Sequence, residues 1–139
     1  MARHAEQLYA FAINATGGQT TYQTSVPAVA PSYESSGYTD EVTLAALFLS
    51  WVTNSTSLYQ TAENYYEQYK LGGQDGVFNW DSKTPGLAVL FAQIAQSSSG
   101  LGGKLENWRA EAERYFDNIV KSKSRGYLTK SVFPKIAMR

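Results

Sequence analysis

Asp40-Glu41-Val42-Thr43-Leu44-Ala45-Ala46-Leu47-Phe48-Leu49-Ser50-Trp51-Val52 carries apolar side chains on every side of a helix axis, with Asp40 standing where an N-cap belongs. A helix of that kind is covered all round. The next segment differs: over roughly Ser57 to Lys70, Leu58, Ala62, Tyr65 and Tyr69 share one face at helical spacing, while Gln60, Glu63, Glu67 and Lys70 take the other. That pattern predicts a half-exposed helix.

The pair then repeats. Thr84-Pro85 supplies an N-cap with proline at the first helical position, and Gly86 to Gln96 is again apolar on every side through Leu87, Val89, Leu90, Phe91 and Ile94. The last long helix sets Leu105, Trp108, Ala112, Tyr115, Phe116, Ile119 and Val120 on one stripe, with Glu106, Arg109, Glu111, Glu113 and Arg114 mostly opposite. Upstream, Ala5, Leu8, Tyr9 and Ala12 form a stripe that fades into Asn14-Ala15-Thr16-Gly17-Gly18, the end of a helix. Between it and Asp40, Gln19 to Gly37 is rich in Thr, Ser, Tyr and Pro, and Pro27 and Pro31 forbid a continuous helix. A long loop is expected there, and long loops in compact domains are often functional.

Alternation of covered and amphipathic helices predicts an all-α toroid of helical hairpins, an inner ring clothed by an outer one; a plain four-helix bundle would make its helices equally amphipathic. About five helices do not close such a ring, so residues 1–139 are expected to form one domain that is part of a larger toroid.

Composition removes several function classes. Twelve basic and twelve acidic residues cancel, which leaves no cationic field for nucleic acid or an anionic membrane. The chain has no cysteine, hence no disulfide or thiolate chemistry, and His4 alone cannot build a multi-histidine metal site. No apolar run of about 18 residues suggests a membrane span, and no charged start with an apolar core suggests a signal peptide. Ten tyrosines fit either an aromatic core or the flat surfaces on which sugar rings rest.

Three stretches carry a family resemblance: His4-Ala5-Glu6-Gln7-Leu8-Tyr9-Ala10-Phe11-Ala12, Ser36-Gly37-Tyr38-Thr39-Asp40-Glu41-Val42 and Phe78-Asn79-Trp80-Asp81-Ser82-Lys83. In their order and spacing they resemble glycoside hydrolase family 9, over roughly Arg3 to Thr129. The resemblance implies part of an (α/α)6 barrel and inverting hydrolysis of β-1,4-glucan, which needs one carboxylate to activate a water and another to protonate the leaving oxygen. In the family the base belongs to an Asp-Ala-Gly-Asp motif before this region and the acid is a glutamate far beyond it, so no catalytic residue is expected in this chain. After Arg125-Gly126-Tyr127-Leu128-Thr129 the sequence leaves the family pattern, Lys130 to Arg139 replacing a glycine-rich segment. Pro31, Ser32, Leu44, Ser35 and Gly76 stand where the family has or can have aromatic residues.

Asp40, Glu41 and Asp81 sit at the starts of the two covered helices, where simple capping would explain them. If both loops leave one face of the ring, the three carboxylates gather, and like charges so gathered call for a cation. The resemblance implies a structural calcium ion held by Ser36, Gly37, Asp40, Glu41 and Asp81, hard oxygen donors that suit it. Asp40 with Asp81 as a catalytic pair is rejected, because both match non-catalytic family positions. For Trp80 burial beneath the loop is the first reading and sugar stacking the second; for Tyr33 the two stand level. Two sequons, Asn14-Ala15-Thr16 and Asn54-Ser55-Thr56, fall at helix ends and fit glycosylation of an extracellular parent protein. A non-catalytic product that only binds glucan, or has a structural role, is the rival expectation.

Overall fold

The protein, described by a computed structural model over residues 2–98 and 100–121, contains helices and no strand among those residues. Helix α1 spans Ala2–Ile13, α2 Ala30–Tyr33, α3 Thr39–Thr53, α4 Thr56–Gln68, α5 Thr84–Ser97 and α6 Leu105–Val120. Two single 3-10 turns, Tyr22–Thr24 and Pro27–Val29, precede α2. The expected loop is therefore a compact chain of three short turns, with Pro31 in the first turn of α2 where its missing N–H costs nothing.

Helices α1, α3 and α5 lie side by side in one row, and α4 covers α3 as α6 covers α5. This is an arc of the (α/α)6 toroid, two hairpins deep with a further inner helix at one end. Ser55 starts α4 by accepting the Leu58 N–H on its hydroxyl, and Asn54 ends α3 in the left-handed conformation that asparagine tolerates.

Phe91 of α5 is the centre of the core. Trp108 of α6 stacks on it at 4.1 Å between ring centroids, while Tyr59 and Tyr66 of α4 meet it edge-on at 5.5 and 5.7 Å. The Tyr59 hydroxyl donates to the Phe91 carbonyl oxygen, so the buried phenol is satisfied. Gly103 makes this possible: its φ is +107°, and a Cβ there would stand 2.5 Å from the Tyr59 hydroxyl.

Three features differ from the sequence pattern. The inward stripe of α4 is Tyr59, Ala62 and Tyr66, displaced around the axis from the expected Leu58, Tyr65 and Tyr69, because the Tyr59 and Tyr66 rings fill the space around Phe91. On α6, Phe116 and Val120 are exposed although they lie on the apolar stripe. Helix α3 packs against α1, α4 and α5 but keeps Phe48, Trp51 and Val52 exposed; Phe48 and Val52, with Leu8 and Tyr9 of α1, line an apolar groove of about 570 Å³ between the two helices.

Candidate functional site

The starts of α3 and α5 lie together with the 34–38 and 71–83 loops, and hydrogen bonds join the two. Asp40 is not the N-cap of α3; Tyr38 holds that place without a side-chain cap, and Asp40 sits in the first turn. Its Oδ2 accepts the Lys83 N–H at 2.6 Å, so it serves the start of the neighbouring α5. Asp81 reaches the opposite way, its Oδ1 accepting the Ser36 N–H at 2.8 Å. Asn79 shapes the loop that presents Asp81 by accepting the Asp81 and Ser82 N–H groups, each at 2.8 Å. The Lys83 ammonium donates to the carbonyl oxygens of Asn79 and Trp80 and lies 3.8 Å from a Glu41 carboxylate oxygen.

Asp40 is mostly buried and Glu41 partly so. Burial raises the Glu41 carboxyl, contact with and charge from Asp40 add to this, and the group is pushed up to about 7 against the pull of backbone N–H groups and Lys83. For Asp40 burial also acts upward, but hydrogen bonding from Glu41 and from backbone N–H groups, that of Lys83 among them, outweighs it and holds the carboxyl below its ordinary value. Glu41 Oε2 is buried without a hydrogen-bond partner. Either a proton or a cation between the two carboxyls relieves that arrangement.

The donor chemistry at Ser36, Gly37, Asp40, Glu41 and Asp81 is all oxygen, and the orphaned Glu41 oxygen is the kind of atom a hard cation satisfies. Among the described residues, however, no three His, Cys, Asp or Glu side chains converge as a ready metal cluster. Asp81 is turned to Ser36, and Lys83 supplies the positive charge nearest Glu41.

Beside the carboxylates runs a groove of about 340 Å³, lined by Thr20, Thr21, Tyr22, Tyr33, Ser35, Gly37, Tyr38, Glu41 and Trp80. Its size falls in the range of ligand pockets, about 300–1,000 Å³. Tyr33 and Trp80 meet edge-to-face at 5.9 Å with 86° between their planes, and they remain 63% and 59% exposed. Burial of Trp80 beneath the loop does not hold: Phe78, not Trp80, packs on the start of α5, where a Cβ on Gly86 would stand 2.7 Å from its ring.

The sequence profile of "Glycosyl hydrolase family 9" matches residues 1–135. The chain belongs to that family. Among curated proteins, the relatives of this family 9 chain include Endoglucanase 13 of Arabidopsis thaliana, 36% identical over 138 residues, covering 90% of this chain and 26% of the relative. Endoglucanase 2 of the same plant is 30% identical over 124 residues, covering 88% and 24%, and Endoglucanase 14 of Oryza sativa subsp. japonica is 32% identical over 122 residues, covering 84% and 22%. The chain thus spans about a quarter of the length of these relatives. No solved structure matches it.

Within this family 9 arc, sequence reasoning passed over two sets of residues. Tyr22 and Gln23 pin the segment carrying Tyr33, the Tyr22 hydroxyl donating to the Tyr33 carbonyl oxygen and the Gln23 amide to that of Ser35. Arg114 of α6 binds Asp75 and Glu111, and Glu111 accepts the Gly73 N–H at 2.7 Å, clamping the 71–76 loop to the outer layer. Isolated polar residues in a loop or on a helix leave no periodic trace. Asn14 and Asn54 are both exposed, just past α1 and at the C-cap of α3. No helix among the described residues is long and apolar enough to cross a membrane. The departure from the family pattern over Lys130 to Arg139, and the 125–129 stretch before it, lie outside the described residues.

Proposed function

We propose that the chain is a partial catalytic domain, the central part of a secreted endo-β-1,4-glucanase that hydrolyses cellulose-type glucan with inversion. The observation that carries this is the groove in which Tyr33 and Trp80 stand exposed beside Asp40 and Glu41, in a chain of family 9. Aromatic faces take the apolar faces of pyranose rings, and the hydroxyl rim of Thr20, Thr21 and Ser35 takes their polar edges. The role of this region is binding and scaffolding: none of its residues is proposed as the base or the acid, which the parent enzyme supplies from elsewhere. Calcium would be held by Ser36, Gly37, Asp40, Glu41 and Asp81, where it would neutralise the carboxyl pair and tie the two loops together. Asn14 and Asn54, both exposed, suit glycosylation of an extracellular protein.

The test is hydrolysis of carboxymethyl cellulose by the purified chain. The expected result is no reducing-sugar release, since loss of either carboxylate costs orders of magnitude in rate. Release that Asp40→Ala abolishes would place the catalytic pair here and overturn the proposal.

A further inference from the structure

Tyr33 closes α2, a four-residue helix with no buried residue, and its ring is largely exposed. Nothing within α2 fixes where that ring stands. The turn Tyr22–Thr24 does. The Tyr22 hydroxyl donates to the main-chain oxygen of Tyr33. Two residues further on, Gln23 clamps Ser35 from both sides, its Nε2 donating to the carbonyl oxygen at 2.7 Å and its Oε1 accepting the N–H at 3.4 Å. The turn is fastened in its own right, because the Gln19 amide donates to the last carbonyl oxygens of α1, those of Ala12 and Ile13. Trp80 is held independently, through its carbonyl oxygen on the Lys83 ammonium. The main-chain segments that carry the two rings, which meet at 86°, are thus held by separate anchors, and the Tyr22 hydroxyl holds the Tyr33 segment.

Two perpendicular rings make a corner. One presents a face for the flat C–H side of a pyranose, the other a wall for its edge, and Thr20, Thr21 and Glu41 complete the rim with hydroxyls and a carboxyl. A β-glucosyl unit, flat with polar groups confined to its edge, matches that corner. Resting on the glucan-binding reading above, we propose that Tyr22 is a positioning residue of a corner subsite for one β-glucosyl unit, acting through Tyr33. Holding a contact residue in its bound place in advance removes an ordering cost from binding.

The experiment is calorimetric titration of the 139-residue chain with cellopentaose, in the wild type, Tyr22→Phe, Gln23→Ala, Tyr33→Ala and the double variant Tyr22→Phe/Tyr33→Ala, each checked by circular dichroism and titrated well below its melting midpoint. Tyr22→Phe removes one hydroxyl from an exposed turn and should weaken binding about threefold to tenfold, the worth of one hydrogen bond. Gln23→Ala should weaken it in the same direction. The double variant should bind no more weakly than Tyr33→Ala alone, because the Tyr22 hydroxyl acts through Tyr33, while the Tyr22 ring, which also lines the groove, is kept in the phenylalanine. A wild-type affinity retained in both Tyr22→Phe and Gln23→Ala, or losses that add in the double variant, overturns the positioning role while leaving glucan binding intact. A wild-type chain that does not bind cellopentaose at all overturns both.

Discussion

Helices α3 and α5 are near twins in sequence, each apolar on all sides and each starting at the loop face, yet they end in different surroundings. None of the large apolar side chains of α5 is exposed, whereas Phe48, Trp51 and Val52 of α3 are. At the other extreme of the same helices, the first turn of α3 carries Asp40 and Glu41 while that of α5 carries no acid and receives the Asp40 carboxylate at Lys83. Helix α5 packs against α3 and α6, and α3 packs against α1, α4 and α5, yet an open apolar groove between α3 and α1 leaves Phe48 and Val52 in solvent. All-round apolarity therefore does not say which faces are covered: among the described residues the large apolar side chains are out of solvent on α5 but not on α3.

The contrast should appear most strongly in stability. Phe91→Ala empties the centre of the aromatic cluster and should cost about 3–5 kcal/mol in chemical denaturation, whereas Phe48→Ala, at an exposed site, should cost less than about 1 kcal/mol. Equal losses would mean that the α3 flank is packed in solution, by association of chains or otherwise.

A smaller effect should separate the helix starts. The folded Glu41 carboxyl holds its proton up to about 7, above its ordinary value, so between those limits the folded state binds more protons than the unfolded one. Stability from this group is complete below the ordinary glutamate value and is lost as pH rises through about 7. Asp40 acts in the opposite sense: held below its ordinary value, it stabilises above that value, and this is lost as acid protonates the folded group. Without calcium, then, the melting temperature should rise as pH falls from about 8 to about 5, and Glu41→Gln should flatten that rise. A wild-type slope that survives the substitution would assign the effect to another group.

The alternation of helix types was legible in sequence because periodicity reports which faces are apolar, and it led to the right class and hairpin order. What it could not report is which partner covers a face. Four tyrosines at 59, 65, 66 and 69 leave the register of α4 ambiguous, and only the position of Phe91 decides that Tyr59 and Tyr66 turn inwards. The site was partly legible too: carboxylates at two helix starts suggested neighbouring loops, and the Lys83 to Asp40 and Ser36 to Asp81 bonds join them. Their direction across the gap was not, since a cap within its own helix and a bond to the next helix need the same residue type. Trp80 is expected from sequence to lie beneath the loop, but its ring is largely exposed and the neighbouring Phe78 packs on Gly86 instead.

The central claim is that the starts of α3 and α5 form one unit held through Asp40, Glu41 and Asp81, with calcium as the proposed bridge. The direct measurement is the melting temperature of the chain at pH 7.5 in chelator, in calcium and in magnesium, for the wild type and Asp81→Ala. A ligand bound only by the folded state adds about 2.7 kcal/mol at a hundred times its dissociation constant, a shift that a melt resolves. Calcium should raise the wild-type midpoint, magnesium should not, and Asp81→Ala should lose the response. An unchanged wild-type midpoint in all three conditions, with Asp81→Ala costing only about the 1 kcal/mol of a lost cap, would contradict the bridge and leave hydrogen bonds alone joining the two helices.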